Sequence, residues 1–228
     1  MIEHNMFFED FDGHVFAWVP SYVKGADLAV AAEYVLANNM GRISAAPDAV
    51  ASLWPWLEKT NTDIIARFVV EKCGVATRTN TAVDLSARIN SAFRSGAAGT
   101  QVFMPVSMLG WFVDEFHAIR EDLFFNRELS IGMDLSDIAP CDWPVVFENL
   151  KSIKASSVIF AFADDAGDKS DFVGRVYGML DSFDNEFEGD VLFAPMSDFR
   201  VQQVLRLVKS MRPELCNRIG FFMAAGRK

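Results

Sequence analysis

Short apolar runs alternate along this chain with longer segments in which apolar residues recur at helical spacing. Apolar runs of this length between turn signals are typical of buried strands, and the helical spacing indicates helices with one buried face. The pattern predicts eight strands, at His14–Pro20, Arg42–Ala46, Asp63–Val70, Thr100–Met104, Leu129–Met133, Val158–Ala163, Val191–Ala194 and Ile219–Met223.

Seven helices are predicted in the segments between the strands. Their limits come from helical periodicity, from polar capping residues at the start and from Gly or Pro near the end. They are Ala26–Asn38, Asp48–Lys59, Thr81–Ser95, Ser107–Phe125, a helix from Asp142 to Ile153, one from Ser170 to about Phe183, and one from Ser197 or Asp198 to about Met211.

The regular alternation of strands and helices predicts the fold class. The strand starts run from residue 14 to residue 219 in seven steps, a mean of roughly 29 residues, which is the size of one strand-helix-strand unit. Such alternation requires a parallel sheet covered by helices. Eight units favour a closed (β/α)8 barrel of the TIM type over an open, doubly wound sheet. No linker rich in Gly, Pro or Ser interrupts the chain, so we expect one domain over 1–228.

The predicted barrel lacks its last helix, because only Ala224–Lys228 follow the eighth strand. The groove between the seventh helix and the first would then be bare, with Phe221 or Phe222 open to water. Exposed apolar patches of that size need a cover. We expect the leader, residues 1–12, to cover the barrel, or a second copy of the chain to do so as a homodimer.

Composition excludes several classes of protein. The net charge is −10 and no cluster of Lys and Arg occurs, so nucleic-acid binding is not expected. No apolar run approaches 18 residues, so no membrane span is expected. Three widely spaced cysteines have neither metal-ligand nor redox spacing. They favour a reducing compartment, and the expected location is the cytoplasm.

The catalytic face of such a barrel lies where its strands end, so polar residues there are the candidate site. Candidate catalytic groups are the carboxylates and the lysine after strands 5 and 6, namely Asp134, Asp164, Asp165 and Lys169. Candidate substrate-binding residues are Arg67, Lys72, Ser44, Gln101 and Arg227. None of the three histidines falls at this face, which argues against histidine-based zinc or nucleophile chemistry.

Arg67 is the most informative single residue, because it sits inside an otherwise apolar strand. Alternation places it with Ile65 and Val69 on the inner face of the barrel. A buried guanidinium needs a partner, and Asp134 on another odd-numbered strand is the expected one. The pair either fills the barrel interior structurally or leaves Arg67 able to hold an anionic substrate.

The aspartates after strands 5 and 6 admit two readings. Asp134 and Asp164 on neighbouring strand ends could hold Mg²⁺ weakly or shift each other's pKa for acid–base work. The alternative is helix capping and solvated loop charge. Lys169 could form a Schiff base, as in some barrel lyases, or it is a surface lysine. No phosphate-loop motif occurs, and Arg227 after strand 8 is the weak candidate for a phosphate contact.

One segment resembles a known class of barrel. Ser95–Pro105, SGAAGTQVFMP, is a Gly-Ala helix stop that runs into a strand, and it resembles the corresponding joints of barrels that bind phosphorylated sugars. The sequence therefore predicts a barrel enzyme of lyase, aldolase or isomerase type that acts on a small anionic metabolite. The alternative is a non-catalytic barrel that binds a ligand or a protein partner.

Overall fold

The computed structural model describes residues 15–71, 78–114, 127–162 and 169–225, with backbone alone for 78–80 and 169–170. Eight strands pair side by side in chain order, all parallel, and the last closes on the first. They are β1 Val15–Trp18, β2 Arg42–Ala45, β3 Asp63–Val69, β4 Gly99–Phe103, β5 Glu128–Asp134, β6 Ser157–Ala161, β7 Asp190–Met196 and β8 Ile219–Ala224. The predicted closed (β/α)8 barrel is confirmed.

A helix follows each of the first seven strands. The described helices are α1 Ala26–Ala37, α2 Val50–Leu57, α3 Arg78–Arg94, α4 at 109–114, α5 Trp143–Ile153, α6 Lys169–Asp181 and α7 Asp198–Met211. Helix α3 begins three residues before the predicted Thr81. Helix α7 begins as predicted, because the Ser197 side chain accepts a hydrogen bond from the Arg200 amide.

Alternation along the strands divides the apolar residues into two cores. Along β3, Ile64, Ala66 and Phe68 face outward and join the large core between the sheet and the helices. A second, small core lies inside the barrel and consists of Phe16, Ile159, Leu192, Ala194 and Phe222. The strands that contribute to the inner core are therefore apolar on both faces, which explains why they read as continuous apolar runs.

The barrel interior has an apolar half and a polar half. The inner apolar core comes from β1 and β6 to β8, on one side of the barrel. The buried polar residues Ser44, Arg67, Gln101, Ser130 and Ser157 come from β2 to β6, on the other side. Ser157 and Ser130 satisfy each other through a hydrogen bond of 2.7 Å between their hydroxyl oxygens. The buried polar side chains are thus confined to one side of the interior, the side that includes Arg67.

An ion pair lies at the end of the barrel where the strands begin. The Arg42 Nη2 atom is 2.7 Å from Glu128 Oε1, and the Arg42 guanidinium lies 5.0 Å from the centre of the Phe16 ring. Burial raises the pKa of Glu128, and the charge of Arg42 partly opposes that rise. The charge of Arg42 is thus matched by a carboxylate of the protein itself.

The flank of β8 is not open to water in the single chain. Phe221 is fully buried and stacks on Phe193, while Phe222 points into the barrel and packs 5.2 Å from Phe16. Phe222 therefore lies inside the barrel rather than on the flank, and Phe221 is covered rather than bare. The leader, residues 1–12, lies outside the described residues, so its covering role stays a prediction. Among the described helices, none combines the length and apolar character that crossing a membrane requires.

We expect Gly132→Ala to cost about 1–3 kcal/mol of unfolding free energy, because overpacking a filled interior forces neighbours to shift. A Cβ atom at Gly132 would lie 2.4 Å from Cδ1 of Phe103, whose ring packs edge-on against Trp18. Urea denaturation followed by circular dichroism measures the change. Gly174→Ala is the control: it sits exposed in α6 with open space around it and should gain about 0.5–1 kcal/mol. Equal stabilities for the wild type and Gly132→Ala would contradict this packing.

Candidate active site

A cavity of about 700 Å³ opens at the end of the barrel where the strands finish. This is the end at which barrels of this fold carry their active sites. Its walls are mainly apolar, and its polar and charged lining comes from few side chains. The lining residues that the structure describes are Trp18, Pro20, Ser21, Tyr22, Arg67, Val69, Val70, Glu71, Phe103, Met104, Pro105, Met133, Asp134, Asp137 and Ala161.

Arg67 forms the floor of this cavity. Its side chain points inward, as alternation along β3 predicted, and the residue is 8% exposed. Its Nη2 atom donates to the Val19 carbonyl oxygen at 2.6 Å, and its guanidinium lies 3.7 Å from the centre of the Trp18 ring. The indole face and the carbonyl hold the cation flat against β1, so it is pre-organised without any ligand.

Two further side chains hold Arg67 from below. Its Nη1 atom donates to Ser44 Oγ at 3.2 Å, and Ser44 Oγ donates to Gln101 Oε1 at 2.6 Å. Ser44 and Gln101 are almost completely buried, and neither is part of the described cavity lining. The two residues that the sequence suggested as direct substrate contacts therefore lie behind Arg67 and fix its position.

The predicted ion pair between Arg67 and Asp134 is wrong. Within the described chain no carboxylate lies within 4.0 Å of the Arg67 guanidinium, and its partners are Val19, Ser44 and Trp18. Asp134 instead accepts hydrogen bonds at Oδ1 from the Ser136 amide at 2.8 Å and the Ser136 hydroxyl at 2.5 Å.

The tilt of the strands explains why the pair does not form. Trp18 pairs with Ser44 on β2, and Ser44 pairs with Ile65 on β3, so Trp18 and Ile65 are in register. The Trp18 ring nevertheless packs on Arg67, two residues further along β3. Side chains at the same height inside the barrel thus come from positions that shift by about one residue from each strand to the next, as in any barrel with tilted strands. Arg67 is in register with Ser130, so the residue level with it on β5 is Gly132. Asp134 lies one layer higher.

Arg67 is therefore a buried cation that lacks an anionic partner among the described residues. Burial lowers the pKa of Arg67 to about 10, so it still carries its charge at neutral pH. A charge removed from water costs several kcal/mol unless a partner compensates for it. Val19 and Ser44 occupy two of the five guanidinium N–H groups, and no other described residue accepts from the remaining ones, so within the described chain they can serve a bound anion.

Three carboxylates lie at the rim of the cavity, above Arg67. Glu71 follows β3, Asp134 ends β5, and Asp137 lies in the turn after β5. Asp134 is half-buried, whereas Glu71 and Asp137 are exposed. Ser136 anchors one oxygen of Asp134, and the other, Oδ2, has no hydrogen bond within the described ranges. This anchored carboxylate is the described group best placed for proton transfer in the cavity.

Several predicted site residues lie outside what the structure describes. Lys72, Asp164, Asp165 and Arg227 fall in ranges that are not described, and Lys169 begins α6 without a described side chain. No group of three or more potential metal ligands occurs within the described ranges. The suggested Mg²⁺ site at Asp134 and Asp164 therefore stays a prediction.

Sequence reasoning overlooked two aromatic residues that shape the cavity. Trp18 supplies the face on which Arg67 lies, and Phe103 packs edge-on against Trp18 at 5.7 Å between ring centres. The signal was present, because Trp18 alternates with Phe16 along β1 and Phe103 alternates with Gln101 along β4.

A smaller hollow of about 410 Å³ lies between the end of α5 and the start of β7. It is on the side where strands begin, and its lining includes Lys151, Lys154 and Glu186. Lys151 is held by Asp184 at 2.6 Å and by Glu186 at 2.9 Å. Exposed pairs of this kind are common surface features, so this hollow is not the candidate site.

Comparison with known proteins supports the fold. No protein-family model matches the chain, and no curated protein matches it in sequence. Solved structures do resemble it, among them a protein from Coccidioides immitis assigned as a deoxyribose-phosphate aldolase, with a TM-score of 0.69 and 13% identity. That similarity covers 95% of this chain and 81% of the other.

Two further structures are similar to a comparable degree. The tetrameric deoxyribose phosphate aldolase of Aeropyrum pernix has a TM-score of 0.67 at 11% identity, over 95% of this chain and 86% of its own. A Streptococcus agalactiae protein assigned to copper homeostasis, CutC, has a TM-score of 0.63 at 6% identity, over 93% and 99%. Proteins of different function thus share the architecture, and these similarities show the (β/α)8 fold alone.

We expect Arg67→Met to leave the unfolding free energy within about 1 kcal/mol of the wild type, because it removes an uncompensated buried charge together with that charge's contacts. A carboxylate partner would instead make the loss about 3–5 kcal/mol. Urea denaturation at pH 7 measures the difference. Arg42→Met is the matched control: it leaves Glu128 without its cation and should cost about 1–3 kcal/mol. A larger loss of unfolding free energy for Arg67→Met than for Arg42→Met would contradict the conclusion that Arg67 lacks a described carboxylate partner.

Proposed function

We propose that this protein is a barrel enzyme of lyase, aldolase or isomerase type that acts on a small anionic metabolite. One observation carries the proposal: a charged, 8%-exposed guanidinium forms the floor of an open cavity without a described carboxylate beside it. A protein retains such an uncompensated charge where a ligand supplies the missing anion, because the charge otherwise only lowers stability.

The described residues divide into three roles under this proposal. Arg67 holds the anionic group of the substrate, and its planar fork suits a carboxylate or a phosphate. Ser44 and Gln101 fix the guanidinium from behind. Asp134 transfers the proton, since its anchored carboxylate lines the same cavity. Lys72 and Arg227 are proposed as further anion contacts, and Asp164, Asp165 and Lys169 as assisting groups.

The proposed chemistry is proton transfer next to a carbonyl group. Asp134 accepts a proton from the carbon beside the carbonyl, and the electron pair of the C–H bond moves to the carbonyl oxygen as an enolate. In a substrate with a hydroxyl on the carbon that loses the proton, that hydroxyl passes its own proton to the enolate oxygen and becomes the new carbonyl, while Asp134 returns its proton to the former carbonyl carbon; this completes an isomerisation. Attack of the enolate carbon on an aldehyde instead forms a carbon–carbon bond, and the resulting alkoxide takes the proton from Asp134. A positioned carboxylate accelerates such a step by typically 10²–10⁴-fold.

The similarity in fold to deoxyribose-phosphate aldolases supports the reaction class. Those proteins are 11–13% identical to this chain, so the support is an analogy of fold and does not extend to the substrate. Cys141 and Cys216 are free thiols, which supports a cytoplasmic location in a reducing compartment. Homodimer formation stays a proposal with no described surface that requires it.

A second candidate function is that of a non-catalytic barrel that binds its ligand unchanged. The apolar character of the cavity favours this reading, because Trp18, Val69, Phe103, Met104 and Met133 make up much of its described lining. No lysine lines the cavity in the part of the chain that the structure describes, so a Schiff base has no described nucleophile. The cavity is nevertheless open. A cavity filled by Phe and Met side chains would have indicated that this end of the barrel serves packing alone.

Exchange of substrate hydrogen with solvent deuterium tests the enzyme directly. We expect the wild type to catalyse deuterium incorporation beside the carbonyl of at least one compound in a panel of small oxo-carboxylates and oxo-phosphates, followed by proton NMR. Asp134→Asn should slow that exchange at least about 100-fold, because it removes the proton acceptor. Arg67→Met should raise the substrate concentration needed for half-maximal exchange, because it removes the anion contact.

The control for this experiment is Asp48→Asn. Asp48 lies at the same end of the barrel, is exposed with a weak 3.8 Å contact to Lys24, and is not among the residues that line the cavity. Its exchange rate should equal that of the wild type. Binding of panel compounds that depends on Arg67, without exchange above the buffer rate, would overturn the enzyme and favour the non-catalytic barrel.

A further inference from the structure

The charges in the cavity point in two directions. Among the described lining residues, the floor holds one cation, Arg67, and the rim holds three carboxylates, Glu71, Asp134 and Asp137. A phosphorylated metabolite carries nearly two negative charges and would meet, within this described lining, one guanidinium beneath three like charges. A ligand that is negative only at its buried end avoids most of that repulsion.

The two charges are separated along the chain at the end of β3. Arg67 points inward from β3, and Glu71, four residues further on and two past the end of the strand, also lines the cavity. Four residues of extended chain span about 13 Å between Cα atoms, and with both side chains directed into the cavity, contacts of about 3 Å at each end leave about 7 Å for the ligand. Trp18, Phe103 and Met133 line the cavity between floor and rim. The intermediate region is thus apolar.

We propose that the substrate class is a bipolar molecule, with a carboxylate at one end and a protonated amine about four to six bonds away. This proposal rests on the proposed function, because it uses the same cavity and the same anion contact at Arg67. The carboxylate binds Arg67, the apolar stem lies against Trp18 and Phe103, and the ammonium lies between Glu71 and Asp137. Asp134, anchored by Ser136, stays available for proton transfer.

Three probes of equal length separate the two charges: 6-aminohexanoate, hexanoate and hexylamine. Their affinities for the full chain are measured by competition in ligand-observed NMR at constant ionic strength. We expect 6-aminohexanoate to bind about three- to tenfold more tightly than hexanoate, the size of a partly screened charge pair. Hexylamine, which cannot contact Arg67, should bind most weakly, and glycerol 3-phosphate should bind less tightly than 6-aminohexanoate.

Two variants assign the two ends. In Glu71→Gln/Asp137→Asn, the advantage of 6-aminohexanoate over hexanoate should disappear, while hexanoate itself binds as well as or better than before. The Arg67→Met variant should no longer bind either 6-aminohexanoate or hexanoate. The matched control is Asp27→Asn/Asp48→Asn, which removes two exposed carboxylates at the same end of the barrel that do not line the cavity. This control variant should bind 6-aminohexanoate more tightly than hexanoate by the same factor as the wild type does.

The outcomes distinguish this inference from the proposed function. Equal or tighter binding of hexanoate or glycerol 3-phosphate, lost in Arg67→Met, would overturn the bipolar substrate and leave the anion site intact. Carboxylate binding that survives Arg67→Met, or no binding of any carboxylate, would overturn the anion site itself. If the control variant lost the tighter binding of 6-aminohexanoate to the same extent, that tighter binding would reflect net charge alone. This result would also overturn the bipolar site.

Discussion

The interior of this barrel contains a buried charge that has no anionic partner among the described residues. Arg67 is charged at neutral pH, and its described contacts are a carbonyl, a hydroxyl and an indole face. Neutral contacts of this kind fix the direction of a guanidinium but do not neutralise it. Ser44 and Gln101 position that charge from the polar half, and Trp18, on which it lies, packs against the inner apolar core. The stability lost by burying the cation is offset by two well-packed hydrophobic cores.

Two arginines, Arg42 on β2 and Arg67 on β3, differ in their described surroundings. Arg42 stacks on Phe16 and contacts Glu128, so its charge is matched within the protein. Arg67 stacks on Trp18 in the same manner but faces an open cavity. The two arginines share a chemistry and a type of aromatic partner. What separates them within the described residues is a fixed anion, which Arg42 has in Glu128 and Arg67 lacks.

Much of the fold was predictable because it depends on local patterns. Apolar runs identified all eight strands, and Ser197 marked the start of α7. The inward direction of Arg67 followed from its neighbours on β3. Its partner could not be predicted in the same way, because the level of Asp134 relative to Arg67 depends on how far tilted strands shift, and that shift is a property of the closed sheet. Long-range geometry of this kind has no signature in a single strand.

The inner apolar core and the Arg42–Glu128 pair lie towards the end of the barrel where the strands begin, and the cavity opens at the other end. A molecule that enters the cavity passes the described carboxylates at its rim, Glu71, Asp134 and Asp137, whose field disfavours an anion without a positive group. The same field acts on a molecule that leaves. Under the bipolar proposal, a product that kept its carboxylate and lost its amine would leave faster than its precursor, so that charge alone would favour release.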